Sequence, residues 1–463
     1  MVRYTITSRL TKFISYGLFP LQIKGVMEMK MRQKKVVGVL GAALLCMAGS
    51  SGFNASLAAC EHKIGAVLSL TGAYGAHGVP ISRAAQLGVE QVNEARAALG
   101  VGCDLVYDVR DSNTQASLAV DAARKLIDLE GVTALVGPIS SGITAPLLSS
   151  VTVENDVLVI ATASTSSTFT NMAKRGETKG LFFRTLPSDS LQAVAAAMMA
   201  YQAGFRKPAI IYFNNDWGKN NKAGFIDAFK ALGGEIANSV PFNPDQPTYR
   251  SEITKTLEGD PDSLYMLSNT QDGVKHFRDW IRFDGPQNFI MPQGMNDSAF
   301  VDTVGEDLLK NAWFISPGTP ENSSLQQMEA DFQVRWDASP KGPGRNSGYD
   351  AGVLIGLAMV AADMRGLDTS GPTLAKIVRE ITGPDGEQHH GGVEGLKLAI
   401  SAIKAGKNIW YVGATGPIDF DPYGDVAVPF VMMKIKDGEY VTVGSVSLEE
   451  VSEVKAKVRA MNN

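Results

Sequence analysis

The chain has 463 residues, of which 44% are hydrophobic and 20% charged, and a formal net charge of −5. That length allows two or three domains with ample core, and the composition is that of an ordinary globular protein. The mildly acidic balance excludes the basic footprint of a nucleic-acid binder, and past the N-terminal segment no apolar run approaches the roughly 18 residues of a spanning helix.

At the N-terminus Lys30, Arg32, Lys34 and Lys35 precede a short apolar core at 36–48, and small residues follow up to SLAAC at 56–60. That order is the layout of an export signal, with a core too short for an anchor. Residues 1–59 are therefore read as a signal peptide with an over-extended start, Met27, Met29 or Met31 each giving a more ordinary one. The expected location is the periplasm. Cys46 falls inside the signal, which leaves Cys60 and Cys103 in a compartment where disulfides form. Each immediately precedes a predicted strand, at 63–70 and at 104–109. If those strands are parallel neighbours, their starts lie about 5 Å apart, within bridging range. A structural disulfide is the expectation; the competing reading is a lipid-modified Cys60 after Leu57-Ala58-Ala59.

From residue 60 the chain alternates short β-rich runs with helical patterns. IGAVLSL (64–70), DLVYDV (104–109), ALVGP (134–138) and VLVIAT (157–162) are separated by helices near 81–99, 114–129 and 141–154. A second series, AIIYF (209–213), IANSVPF (236–242), LYML (264–267) and FIMP (289–292), alternates with helices near 217–232 and 273–283. AWFISPG (312–318) follows, then a helix-rich region to about 405 and a β-rich tail at 409–446. Such alternation predicts parallel sheets wrapped on both faces by helices, and the continuous apolar strands suit burial on both sides.

Phosphate-loop, H-E-x-x-H, G-x-S-x-G and paired C-x-x-C motifs are absent, so the chain is not expected to be an enzyme and no cofactor is expected. His389 and His390 in the loop GEQHHGG read as solvated polar residues, with metal ligation the weaker reading. The informative segments lie where strands end and helices begin, the edge at which open α/β sheets bind ligands. LTGAYGAHG (70–78) offers close backbone approach and the ring of Tyr74; the bland reading is a Gly-rich turn. VGPISSGITAP (136–146) places Ser140, Ser141 and Gly142 at a helix start, an anion site or a simple serine cap. In ATASTSSTF (161–169), Ala163, Ser164 and Thr165 offer a carbonyl and two hydroxyls for a polar head group.

These loops, with AAQLGVEQVN (84–93), VRDSNTQASLAVDAARKLI (109–127), ALVGPISSG (134–142) and IDFDPYGD (418–425), resemble the branched-chain amino-acid (Leu/Ile/Val)-binding family. Its members are type I periplasmic solute-binding proteins of ABC importers. The resemblance covers nearly all of 61–445. It implies two doubly wound parallel-sheet lobes joined by three hinge crossovers, with 60–184 plus 317–415 as lobe I and 185–316 plus 416–463 as lobe II. Carried over, Ser141 and Thr165 hold a ligand carboxylate, the Ala163 backbone meets the head group, and Tyr74 walls the cleft. From the second lobe Trp217 and Asn269 face the ligand. The family's second-lobe carboxylate, which neutralises a ligand ammonium, is replaced by Gln293. A buried ammonium without a counter-charge is costly. Either Asp297 substitutes for it, or the ligand is a keto acid, aromatic acid or amide and not an amino acid. The expected partners are a small molecule and the permease subunits of an ABC importer, with no nucleic acid and a monomeric protein. A ligand sensor of a signalling system and an exported enzyme are the rival readings.

Overall fold

The computed structural model describes residues 60–462; the expected signal segment lies outside them. The first lobe is built from β1 (Glu61–Leu68), α1 (Gly75–Ala98), β2 (Asp104–Asp111), α2 (Ala116–Asp128), β3 (Ala134–Val136), α3 (Ser141–Leu147), β4 (Leu158–Ala161), α4 (Ser167–Lys174) and β5 (Phe182–Arg184). The strands form one parallel sheet in the order β2-β1-β3-β4-β5. The runs ALV and LVIA are buried at every position, because helices cover both faces. On one face α1 and later helices enclose Leu68, Val136 and Ile160; on the other, α2 and α3 enclose Val67, Leu135 and Val159. This alternation of side chains is the period of two of a strand put to use twice.

The chain then enters the second lobe with α5 (Asp189–Gln202), β6 (Pro208–Phe213), α6 (Asp216–Ala231), β7 (Ser239–Phe242), α7 (Arg250–Thr256), β8 (Ser263–Leu267), α8 (Thr270–Arg282), β9 (Phe289–Met291), α9 (Ser298–Val304), α10 (Glu306–Leu309) and β10 (Ala312–Pro317). It returns to the first lobe with α11 (Ser323–Trp336), α12 (Arg345–Met364), α13 (Gly371–Glu380), β11 (Glu387–His390), α14 (Val393–Lys404), β12 (Ile409–Gly413) and β13 (Gly416–Pro417), and ends in the second with β14 (Phe430–Lys436), β15 (Glu439–Val446) and α15 (Leu448–Asn462). The second sheet runs β15-β14-β10-β9-β8-β6-β7, parallel except for its last two members, β14 and β15. The chain therefore crosses between sheets at 185–188, 318–322 and 427–429, as a two-lobed type I periplasmic binding fold requires. Ile418, Phe420 and Val426 lie in the first lobe's core, so the last crossing comes after them.

Helix α12 explains the Ala/Gly-rich stretch at 347–362, since every residue from Ser347 to Ala362 is buried. It lies against α1 so closely that a Cβ on Gly352 would sit 2.3 Å from the Ala85 carbonyl oxygen. The two cysteines lie at the starts of β1 and β2, whose first residues Glu61 and Asp104 are in register. Cys60 and Cys103 are bonded, with Cα atoms 4.9 Å apart, the pairing expected from the sequence.

Three sequence readings change. The helix expected at 141–154 is regular only to Leu147 and widens at Leu148–Thr152. The GEQHHGG segment is not a free loop: Glu387–His390 pairs in parallel with β12, and His389 is buried beside Glu387. The strand expected at 236–242 begins only at Ser239.

Candidate functional site

A cavity of about 80 Å³ lies between the carboxyl ends of the two sheets; one water needs about 10–15 Å³ on such a measure. The first lobe contributes Tyr74 and His77 after β1, Ser140 and Ser141 after β3, and Ala163 and Thr165 after β4. The second contributes Trp217 after β6, Ser268 after β8, and Gln293 and Gly294 after β9. Of the sequence-predicted residues, Tyr74, Ser141, Ala163, Thr165, Trp217 and Gln293 line the cavity.

Ser164 and Asn269 do not. The Ser164 hydroxyl contacts the Pro138 carbonyl (3.0 Å) and Thr144 Oγ1 (2.6 Å), tying two first-lobe loops together. Asn269 caps α8, its Oδ1 accepting from the Asp272 N–H at 2.7 Å. Its neighbour Ser268 reaches the cavity instead, with a buried hydroxyl that has no partner among the described residues. An Asn immediately before a helical run is a cap signal, and that role turns the Asn269 side chain to its own helix.

Hydroxyl and backbone chemistry dominates the first-lobe end. Ser141 Oγ accepts from the Ser166 N–H (3.2 Å), which leaves its own O–H free to donate. The loop carrying Ala163 and Thr165 is held by Arg184, which is fully buried. Arg184 Nε donates to Asp425 Oδ1 (2.6 Å), its Nη1 to the Ser164 and Ser166 carbonyls (3.2 and 2.8 Å), and its Nη2 to Thr170 Oγ1 (2.8 Å). Behind Thr165, Asp189 is also buried; it donates its N–H to the Thr165 carbonyl and accepts from Asn221 at Oδ1. Burial raises its pKa to about 7 against the opposing pull of Arg184 and of its hydrogen bonds to Thr165 and Asn221. Neither Arg184 nor Asp189 was singled out from sequence. The signal for both was FFRTLPSD at 182–189, a strand end running into a helix start.

Across the cleft, Tyr74 stacks on Phe213 of the second lobe with ring centroids 5.9 Å apart. His77 Nδ1 lies 3.7 Å from Asp297 Oδ2. Burial pushes the His77 pKa down, Asp297 pulls it back up, and Arg345 adds to the lowering. Asp297 does not line the cavity, and its Oδ1 caps α9 through the Ala299 N–H (3.0 Å). The cavity lining contains neither Asp nor Glu.

A family model described as periplasmic binding protein matches residues 61–438. The chain belongs to the periplasmic binding protein family. It is similar to the Leu/Ile/Val-binding protein BraC3 of Rhizobium johnstonii, with 27% identity over 84% of this chain and 95% of that one. It is also similar to the chemotactic signal transduction system substrate-binding protein BasB of Halobacterium salinarum, with 25% identity over 81% and 87%. Two solved structures share the fold. The leucine-binding protein LivK of Thermotoga maritima matches with a TM-score of 0.68 and 18% identity, over 84% of this chain and 99% of that one. A solute-binding protein of R. palustris in complex with benzoate matches with a TM-score of 0.63 and 18% identity, over 83% and 96%. Members of this family are extracytoplasmic solute-binding proteins, and among the described residues no helix is long and apolar enough to cross a membrane.

Proposed function

We propose that the protein is an exported solute receptor of an ABC importer. It captures a small carboxylate that carries no ammonium group, namely a keto acid, an aromatic acid or a related acid. The observation that carries this reading is the lining of the interlobe cavity. Ser140, Ser141 and Thr165 offer hydroxyls at one end, Tyr74 and Trp217 offer rings, and no acidic side chain faces the space. A carboxylate gains charge-assisted hydrogen bonds there, whereas a buried ammonium would lack a counter-charge. The complex with benzoate in a protein of the same fold supports an aromatic acid as one member of the class.

The mechanism is capture without chemistry. Ligand contacts made to both lobes at once favour the closed form by their differential affinity, and the crossovers at 185–188, 318–322 and 427–429 act as hinges. We place lobe I at 60–184 with 318–426 and lobe II in the remainder of the described residues, which carries the 415/416 boundary read from sequence past the segment that packs in the first core. The protein works as a monomer in the periplasm, and the closed surface is what the permease subunits recognise.

Calorimetry of the purified protein with leucine, 2-oxo acids, benzoates and the corresponding amides tests the ligand class. Binding of 2-oxo acids or benzoates with no leucine heat is expected; tight leucine binding refutes the class. A second reading, a receptor-coupled sensor, is favoured by the likeness to BasB. Co-purification with permease subunits as against a membrane signalling receptor separates the two.

A further inference from the structure

The second-lobe side of the ligand cavity is made by two neighbouring loops. Ser268 directly follows β8, Gln293 follows β9 and Pro292, and the two strands pair in parallel. The loops lie against each other, since a Cβ on Gly294 would come within 3.8 Å of the Ser268 carbonyl oxygen. Ser268, Gln293 and Gly294 all line the cavity. Ser268 is only 2% exposed, and its Oγ has no hydrogen-bond partner among the described residues. A serine hydroxyl can donate and accept, and so can the amide of Gln293. Neither Asp, Glu, Lys nor Arg lines the cavity, so a second charge of either sign at this end would lie buried without a counter-charge.

We propose that Ser268, with Gln293 beside it, is a specificity-determining residue that selects acids carrying a second, uncharged oxygen, a hydroxyl or an oxo group, over the same acids without it. The inference rests on the carboxylate reading above and narrows it. With the carboxylate at the first-lobe hydroxyls, a neutral oxygen facing Ser268 and Gln293 gives the ligand a polar contact on each side of the cleft. Contacts to both lobes are what favour closure. An acid without that oxygen fills the same space but leaves the Ser268 hydroxyl buried and unpaired, a loss of about tenfold or more in affinity. A site built to pair a polar group rejects the analogue lacking it more strongly than an apolar pocket rejects a missing methylene.

Matched pairs of acids test this by calorimetry: 4-methyl-2-oxopentanoate and 2-hydroxy-4-methylpentanoate against 4-methylpentanoate, and 4-hydroxybenzoate against benzoate. In wild type at least one oxygenated acid should bind about tenfold or more tighter than its parent. Ser268→Ala should cut that ratio about fivefold or more, by weakening the oxygenated acid while leaving or improving the parent. Gln293→Met, at a half-buried position, should cut it in the same direction and stands in if thermal melts show that Ser268→Ala does not fold. Thr270→Val is the control, since Thr270 Oγ1 is also buried without a partner among the described residues but does not line the cavity; it should leave the ratio unchanged. Parents that bind as tightly as every oxygenated acid overturn the proposal. So does a ratio unmoved by Ser268→Ala and Gln293→Met, or one moved as far by Thr270→Val. If wild type binds none of these acids, the carboxylate reading falls and this inference with it, whereas equal binding within each pair removes this inference alone.

Discussion

Arg184 is the side chain on which the first-lobe half of the site depends most. Its guanidinium meets Asp425, Thr170 and the carbonyls of Ser164 and Ser166 at once, all away from water. Removing one partner of a buried pair leaves the other charge uncompensated, at a cost of about 3–5 kcal/mol. Arg184→Met is expected to lose about that much in urea unfolding, and Arg184→Met with Asp425→Leu should lose less than the single change. An Arg184→Met protein as stable as wild type refutes the clamp. Asp189 makes the opposite kind of contribution. Its folded pKa of about 7 stands above the roughly 3.9 of an unfolded aspartate. A raised pKa means that its contribution to stability is complete below about pH 4 and is lost as pH rises through 7. Asp189→Asn should therefore melt higher than wild type at pH 8 and close to it at pH 4; equal melting temperatures at pH 8 would sink this account.

Among the elements, the α1–α12 contact shows why composition alone misleads. Within a helix Gly is about 1 kcal/mol worse than Ala, so Gly348 and Gly352 read as weak points of α12. The structure gives them a reason, since a Cβ on Gly352 would press on the Ala85 carbonyl at 2.3 Å and one on Gly348 on the Ile81 carbonyl at 2.8 Å. Backbone cannot turn aside as a side chain can. Gly352→Ala is expected to destabilise the protein by about 1–3 kcal/mol despite its better propensity, measured by denaturant midpoint; a gain in stability would mean that the helices separate freely. Strand β5 illustrates the converse. FFR has only three residues, too short for any periodicity, and its identity as a strand comes from pairing with β4.

At the scale of the molecule the lobes meet at more than the cavity. The start of α4 in the first lobe faces the start of α6 in the second. Ser167 Oγ donates to Asn220 Oδ1 (3.1 Å), Thr168 Oγ1 to Asp216 Oδ1 (2.9 Å), and Asn220 Nδ2 to Ser166 Oγ (3.1 Å) and Thr168 Oγ1 (3.2 Å). None of these side chains lines the cavity, and Trp217, which does, sits on α6 beside Asp216. At about 0.5–1.5 kcal/mol each, and with the two hydrogens of Asn220 Nδ2 shared with the Asp216 carbonyl and Oδ1 of its own helix, losing those of Asn220 should cost the closed form about 1–2 kcal/mol. Asn220→Ala is expected to release ligand about 5–30 times faster in stopped-flow fluorescence, with the Trp217 signal as reporter. An unchanged release rate would show that the contact does not hold the lobes together.

The strand-end loops at 70–78, 136–146 and 161–169 were legible in the sequence because each is local: an apolar run buried on both faces, then small polar residues at the start of a helix. The cysteines before β1 and β2 were legible for the same reason, since parallel neighbours begin side by side. Ser141, Ala163 and Thr165 could be placed from their own loops. What the sequence could not decide was which neighbour of a candidate turns toward the cleft, as with Ser268 and Asn269, or which distant group completes a loop, as with Arg184 and Asp425. Those outcomes depend on contacts between residues up to hundreds of positions apart, whose geometry exists only once both sheets have packed.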